Sequence, residues 1–232
     1  MRIALLGDIH GSHIALRAVL DSAAKHGAER LLITGDLVGY YDRPKEVLEM
    51  IEPWKRDIVR GNHEEMLIQA RTDPVFLAGV DSRFGTGLRC AIEQLSARQL
   101  DQLCTLPHPL ELELGGRRIQ LCHGSPWDID QYIYQDGESK LLERCASPDF
   151  DVVVLGHTHH PLLKQVGGCV LVNPGSVGQP RNRQPGASWA LLDTGSCEVR
   201  HFVEPYDIAS IAGKARTTNP HLPYLWEVLE RR

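Results

Sequence analysis

The first third of the chain alternates between short apolar runs and segments with helical periodicity. The runs Arg2–Gly7, Leu31–Thr34 and Asp57–Arg60 are typical of buried strands, and His13–His26 and Pro44–Met50 are typical of helices. Strand–helix–strand units of this kind place parallel strands side by side through right-handed crossovers. The alternation therefore predicts an α/β fold.

The pattern changes after the third predicted strand. Residues 64–110 read as a mostly helical insertion with a glycine-containing interruption at Gly79–Gly87, and residues 205–232 read as a C-terminal helical tail. Between them, Glu111–Leu114 and Ile119–Cys122 predict a hairpin. Further strands are predicted at Val152–Leu155, Leu162–Val166, Val170–Val172, Ser188–Leu192 and Glu198–Val203. We expect one domain over residues 1–232, folded as a four-layer αββα sandwich of two mixed β-sheets flanked by helices.

Composition excludes several classes of partner. The net charge is −5, so no general basic field would draw the protein to nucleic acid or to an anionic membrane. A phosphate-bearing ligand must find its positive charge locally. The apolar run at Arg2–Gly7 is too short for a signal peptide, and we expect a cytoplasmic protein. The six cysteines contain no Cys-x-x-Cys pair, which argues against a zinc ribbon.

Potential metal ligands follow the ends of five predicted strands, and each group has a glycine beside it. In sheets with parallel strands, the carboxyl ends converge on the edge where binding sites form. We therefore expect these side chains to share one site. They are Asp8 and His10, then Asp36, then Asn62 and His63, then His123, and finally His157 and His159.

Seven of these side chains are nitrogen or oxygen donors of the kind that binds divalent cations. Seven donors exceed the three or four that one zinc-like ion takes from a protein, so two ions fit better. If Asp36 bridges, the first ion is bound by Asp8, His10, Asp36 and His159, and the second by Asp36, Asn62, His123 and His157. A mixed oxygen and imidazole set without thiolate suits Mn²⁺, Fe, Zn²⁺ or Co²⁺ more than Mg²⁺ or Ca²⁺ and does not choose among them. We take Mn²⁺ as the expected metal, with Fe, Zn²⁺, Co²⁺ or Ni²⁺ as alternatives.

These motifs resemble those of the calcineurin-like metallophosphoesterase superfamily, whose five blocks occur in the same order. The resemblance extends over roughly residues 1 to 203. Asn173–Arg181 further resembles the small bacterial phosphodiesterase-like branch of the superfamily. The five blocks are Gly7-Asp8-Ile9-His10, Gly35-Asp36, Gly61-Asn62-His63-Glu64, His123-Gly124 and Gly156-His157-Thr158-His159.

The resemblance implies the same ligand assignment, together with a role for His63 at the phosphoryl oxygen and the leaving group. The expected function is metal-dependent hydrolysis of a small phosphodiester or phosphomonoester, by attack of a hydroxide that bridges the two ions. Arg181 is a candidate phosphate-binding residue, because guanidinium binds phosphate oxygens in a bidentate manner. Tyr40 is a candidate for stacking on a nucleobase, with packing within the loop as the alternative.

Two other functions remain as alternatives. Protein phosphatases and dinucleoside polyphosphate hydrolases continue the second block with an Asp-Arg pair, which Gly35–Tyr41 lacks, so these functions rank second. A catalytically idle metal-binding scaffold for a protein partner is disfavoured, because no donor is missing. The oligomeric state stays open. We expect the arginines of the insertion to form a solvated face; they are Arg71, Arg83, Arg89 and Arg98.

Overall fold

The computed structural model describes residues 1–231, which form two five-stranded sheets packed face to face with helices on both outer sides. The first sheet has the strand order β10-β9-β1-β2-β3, and the second has the order β4-β5-β6-β8-β7. The strands are β1 (Arg2–Leu6), β2 (Arg30–Ile33), β3 (Arg56–Ile58), β4 (Leu110–Leu114), β5 (Arg117–Leu121), β6 (Val152–Val154), β7 (Leu162–Val166), β8 (Cys169–Asn173), β9 (Ala187–Asp193) and β10 (Glu198–Glu204).

Both sheets are mixed. In the first sheet, β1, β2 and β3 run parallel, and β9 and β10 are antiparallel additions at one side. In the second sheet, β5, β6 and β8 run parallel, while β4 and β7 pair antiparallel at the edges. The predicted hairpin corresponds to β4 and β5. The carboxyl ends of both parallel sets lie at the same end of the molecule.

Side-chain alternation along the strands produces the four layers. Ile3 and Leu5 of β1 face the second sheet, and Ala4 and Leu6 face the helices. Two-residue periodicity sends neighbouring side chains to opposite faces of a strand, so both faces of this strand are apolar. The αββα sandwich predicted from the sequence is confirmed.

Nine helices lie within residues 1–231, and none of them combines the length and apolar character that a membrane span requires. Most pack against the first sheet, while α7 covers the second. The helices are α1 (His13–Lys25), α2 (Pro44–Ile51), α3 (Asn62–Ala70), α4 (Pro74–Phe84), α5 (Gly87–Gln94), α6 (Ala97–Cys104), α7 (Ser139–Cys145), α8 (Ile208–Thr218) and α9 (Tyr224–Glu230).

Two local expectations were wrong. Gly79 lies inside α4 rather than in a break, and the interruption predicted over Gly79–Gly87 is confined to Gly85 and Thr86. Gly79 is accommodated because packing of neighbouring turns outweighs its weak helix propensity. The helix after β3 also begins earlier than expected, because α3 starts at Asn62 and not at residue 64.

Candidate metal centre

The loops that follow five strands bring the predicted metal ligands together. β1, β2 and β3 contribute from the first sheet, and β5 and β6 contribute from the second. His123 joins the two sheets directly, because its Nδ1 donates to the carbonyl of Thr34 at 2.7 Å. The site therefore lies where the carboxyl edges of the two sheets meet.

One group of four donors is compact and buried. Ligand atoms of Asp8, His10, Asp36 and His159 all lie within 4.8 Å of one another. The Nε2 atoms of His10 and His159 are 3.2 Å apart, and His10 Nε2 is 3.6 Å from Asp36 Oδ2. This arrangement can hold a metal ion.

A second group forms on the other side of Asp36. His123 Nε2 is 3.5 Å from Asp36 Oδ2 and 3.0 Å from Asn62 Oδ1. His157 Nδ1 lies 3.2 Å from both Asn62 Oδ1 and His123 Nε2. The other carboxylate oxygen of Asp36, Oδ1, accepts the backbone N–H of His63 at 2.9 Å. The Oδ2 atom of Asp36 is thus close to both groups.

Backbone carbonyls determine which nitrogen of three imidazoles carries the proton. His10 Nδ1 donates to the carbonyl of Val38 at 3.0 Å, and His159 Nδ1 donates to that of Gln179 at 2.6 Å. A carbonyl can only accept, so these rings are protonated on Nδ1 and turn Nε2 lone pairs toward the centre. Two lone pairs at 3.2 Å repel each other unless a cation lies between them. The tautomers therefore fit a metal site.

The two buried carboxylates also fit a metal site. Both oxygens of Asp8 are buried and have no hydrogen-bond partner within residues 1–231. Burial raises the pKa of Asp8 to about 8, and burial followed by the charges of Glu64 and Asp8 raises the pKa of Asp36 well above its usual range. Burial also lowers the pKa of His10, His123 and His159. Neutral imidazoles beside unpartnered carboxylates are what a divalent cation requires.

Most of these ligands have a strained backbone. Positive φ angles of 52° to 65° occur at Asp8, His10, Asp36, His157 and His159. Left-handed backbone costs an L-residue of order 1 kcal/mol or more, although Asp and His tolerate it better than most residue types. Such strain is concentrated at functional sites, where the surrounding structure maintains it.

The glycines of the motifs serve a different purpose from the one their turn propensity suggests. Among the five glycines of the motif blocks, only Gly35 has a positive φ; Gly7, Gly61, Gly124 and Gly156 do not. Instead, a Cβ on Gly61 would collide with Asp36 Oδ1, and one on Gly35 would collide with the backbone of Gly61. These two glycines let the loops after β2 and β3 approach each other closely.

Glu64 connects the same two loops and was not assigned a role from the sequence. Its buried carboxylate accepts the N–H groups of Asp36 and Leu37 at 2.8 Å, Val38 at 3.3 Å and Gly61 at 2.9 Å. Glu64 is the third residue of α3, where a glutamate commonly bonds back to the preceding N-cap. That capping pattern was the only local signal for its position.

The segment between β8 and β9 supports the loop that carries Asp8. Ser176 Oγ donates to the Asp8 carbonyl at 2.7 Å, and the N–H of Gly178 donates to the same carbonyl at 3.0 Å. Asn173 Nδ2 donates to the Gly156 carbonyl at 2.7 Å. This segment therefore ties the loops of the two sheets together beneath the site.

His63 lies beside the two donor groups, buried against aromatic rings. Its ring centroid is 4.6 Å from that of His10 and 4.7 Å from that of Tyr40. Burial, followed by the charge of Arg181, lowers the pKa of His63 to about 3. Without a bound anion, the ring is therefore neutral near pH 7. An anionic phosphoryl group beside it would shift the pKa upward again.

A cavity of about 180 Å³ opens onto the donors, and Arg181 and Tyr40 both line it. Arg181 Nη2 donates to the Tyr40 hydroxyl and to Gln179 Oε1, each at 3.0 Å. Tyr40 is only 6% exposed, and its ring packs on His10. The tyrosine thus offers its hydroxyl, not a free face for stacking on a base.

Arg83 of the insertion is exposed, as expected, and it also borders the cavity. Arg83 lines the cavity together with Phe84, Asp130 and Tyr132. No periodicity or motif in the sequence distinguished it from Arg98, which is exposed as expected. Its position follows from where α4 ends against the C-terminal helices, which is a tertiary effect.

The C-terminal helices brace this wall of the cavity. Tyr41 donates its hydroxyl to the carbonyl of Leu225 at 3.0 Å, and Tyr224 donates its hydroxyl to the carbonyl of Arg83 at 3.1 Å. The N–H of Thr86 donates to Asn219 Oδ1 at 3.2 Å. Residues far apart in sequence therefore hold the end of α4 beside the site.

Comparison with known proteins identifies the family of the chain. The model of the calcineurin-like phosphoesterase superfamily domain matches residues 1–196, and the chain belongs to that superfamily.

Relatives match nearly the full length. The chain is 26% identical over 224 residues to an uncharacterized protein of Methanocaldococcus jannaschii, covering 89% of this chain and 88% of that one. It is also 26% identical over 227 residues to the phosphodiesterase YfcE of Escherichia coli K12, covering 91% and 98%. A metallophosphoesterase structure from Sphaerobacter thermophilus superposes with a TM-score of 0.78 at 28% identity, covering 100% and 98%. A hypothetical protein from Pyrococcus horikoshii OT3 has the same fold, with a TM-score of 0.85 at 24% identity over 98% and 97%.

Proposed function

We propose that this chain is a dinuclear, metal-dependent phosphoesterase that hydrolyses a small phosphodiester or phosphomonoester. The observation that carries the proposal is the position of Asp36 Oδ2, which lies 3.6 Å from His10 Nε2 in one donor group and 3.5 Å from His123 Nε2 in the other. A carboxylate between two groups of metal donors is suited to bridging two cations. Membership of the superfamily and the likeness to the YfcE phosphodiesterase support the reaction class.

The residues present fit two divalent ions. Manganese is the proposed metal; the donors are carboxylate, amide and imidazole without thiolate, a set that Fe, Zn²⁺, Co²⁺ and Ni²⁺ also suit. When bound, the ions supply Lewis-acid activation of the attacking water and of the phosphoryl group. One ion would be held by Asp8, His10, Asp36 and His159, and the other by Asp36, Asn62, His123 and His157.

The chain's own side chains orient the ester. Arg181 is fixed by Gln179 and Tyr40, so its remaining guanidinium N–H groups can bind a phosphoryl oxygen with little loss of entropy. His63 lines the same cavity and donates a ring N–H toward the leaving oxygen. Burial of the ring strengthens that hydrogen bond, because water does not compete for it.

We place these functions in one domain over residues 1–232, in which the insertion 64–110 contributes one cavity wall and the tail 205–232 braces that wall. A scaffold without activity would have no need for Arg181 and His63 to face the donors, and no donor of either group is replaced by an inert residue. The complete donor set and the cavity lining therefore favour an enzyme over a scaffold.

Metal analysis followed by an ester panel tests the proposal. Purified protein is dialysed against MnCl₂, and its metal content is measured by mass spectrometry. Its activity is then measured on p-nitrophenyl phosphate, bis(p-nitrophenyl) phosphate, nucleotides and cyclic nucleotides. We expect about two equivalents of metal and metal-dependent release of product. Stable binding of a single ion, or no hydrolysis of any ester by metal-loaded protein, would contradict the proposal.

A further inference from the structure

The end of α4 forms one wall of the cavity above the metal donors. Arg83 and Phe84 line this cavity opposite elements of the superfamily core, together with Arg181. The Phe84 ring centroid lies 5.9 Å from that of His63 and 6.2 Å from that of Tyr40. The helical insertion therefore reaches the position where a phosphoryl group would be bound.

Arg83 is free to bind a ligand. Its guanidinium lies over the Phe84 ring, 4.9 Å from the ring centroid, and it makes no ion pair within residues 1–231. Its neighbour Arg89, by contrast, is paired with Asp81. The backbone of Arg83 is held by the Tyr224 hydroxyl at 3.1 Å. A supported backbone and an unpaired cation at a cavity rim are typical of an anion-recognition residue.

Together with two bound divalent ions, the arginines of the cavity favour a substrate with more than one negative charge. Arg83 and Arg181 contribute two positive charges to the lining, and Asp130 contributes one carboxylate outside the metal ligands. A phosphomonoester carries two negative charges at pH 8, since its second pKa is about 6. A phosphodiester carries one. A second guanidinium in the cavity lining therefore stabilises a monoester more than a diester.

The size of the cavity also favours a monoester over a diester. Its volume of about 180 Å³ is below the ~300 Å³ at which pockets begin to enclose a drug-sized ligand. A phosphoryl group fits inside, and the organic group of a monoester can leave through the opening. The second organic group of a diester would have to lie against Arg83 and Phe84 at the cavity rim.

Resting on the proposed function, we propose that Arg83 is a substrate-recognition residue. Together with Arg181 it makes the site selective for dianionic phosphomonoesters over phosphodiesters.

Steady-state kinetics on two matched esters test the selectivity. Manganese-loaded wild type, Arg83→Gln and the control Arg98→Gln are assayed at pH 8 on p-nitrophenyl phosphate and bis(p-nitrophenyl) phosphate. Arg98 is an exposed arginine of the same insertion. We expect wild type to prefer the monoester in kcat/KM. Arg83→Gln lowers that value about tenfold for the monoester and less than about twofold for the diester, and Arg98→Gln changes neither.

Calorimetric binding gives a readout that does not depend on turnover. Phenylphosphonate is a dianion at pH 8, and its methyl ester is a monoanion. Wild type should bind the dianion more tightly, and Arg83→Gln should lose about tenfold in affinity for the dianion alone. Equal losses for both ligands, or a wild-type preference for the diester and the monoanion, would overturn the inference. Failure to hydrolyse either ester would instead contradict the proposed function, and the calorimetric ranking would still decide the role of Arg83.

Discussion

The carboxylate of Glu64 accepts the backbone N–H of Asp36 at 2.8 Å, and the same Oε2 atom accepts the N–H of Gly61 at 2.9 Å. Its other oxygen accepts the N–H groups of Leu37 and Val38. Glu64 thus joins the loop that carries the proposed bridging ligand to the start of α3. It touches no position of the proposed substrate, so we regard it as a positioning residue.

Glu64→Gln should weaken metal binding. The amide replaces one acceptor oxygen by a donor, which leaves two backbone N–H groups unpaired and lets the Asp36 loop move. Changes in groups that orient metal ligands typically cost about 10- to 100-fold in metal affinity. The measurement is the Mn²⁺ affinity by competition with a chelator. Glu65→Gln, on an exposed neighbour, is the control; equal affinities for Glu64→Gln and wild type would exclude this role.

We expect substitutions in one donor group to release its metal ion without releasing the ion of the other group. Removing Asn62 affects only the proposed second ion, and removing His159 affects only the first. We therefore expect Asn62→Ala and His159→Ala each to retain about one equivalent of manganese, and Asp36→Ala to retain less than either. Metal content after dialysis is measured by mass spectrometry, with Asp42→Ala as a control expected to keep both ions. Loss of both ions from Asn62→Ala would argue against separate sites.

His63→Ala should separate turnover from metal binding. Loss of a positioned proton donor lowers kcat by ~10²-fold or more. The expected effect is largest on esters with poor leaving groups, which need a proton most, and both ions should stay bound. Kinetics on phenyl phosphate and p-nitrophenyl phosphate, with metal content measured in parallel, check this. If His63→Ala hydrolysed phenyl phosphate with the kcat of wild type, His63 would have no role in the reaction.

His201 should make stability depend on pH. Burial lowers its pKa from the ordinary 6.5, while the hydrogen bond from Nε2 to the Asn173 carbonyl at 2.7 Å acts in the opposite direction. The unfolded state therefore binds the proton more readily, so the contribution of His201 to stability is present above about pH 6.5 and is lost as the pH falls toward the lower folded-state value.

His201→Gln keeps a donor for Asn173 but cannot titrate. The loss of unfolding free energy between pH 7.5 and 5.5 should therefore be smaller in this variant than in wild type. Urea unfolding in excess chelator measures it, so that metal release does not contribute, and His221→Gln at an exposed position should behave as wild type. Identical pH dependence of His201→Gln and wild type would contradict the assignment.

Much of the architecture was predictable because it depends on local pattern. The strand–helix–strand alternation implied parallel strands, and the apolar runs implied sheets buried on both faces. Element ends moved by a residue or two, as at β3, which occupies Arg56–Ile58. The role of the glycines was harder to predict from the sequence. Glycine is required at position 61 because a Cβ there would collide with Asp36 Oδ1, and not because of its own backbone angle.

The amino-acid sequence alone determined which donor types follow which strands, because strand ends and chemical character are properties of short segments. Tertiary structure alone decided which imidazole nitrogen faces the centre, that Tyr40 is buried against His10, and that Arg83 rather than Arg98 reaches the cavity. Each of these depends on contacts between residues that are distant along the chain, such as the Tyr224 hydroxyl on the Arg83 carbonyl. Periodicity within a segment carries no information about such contacts.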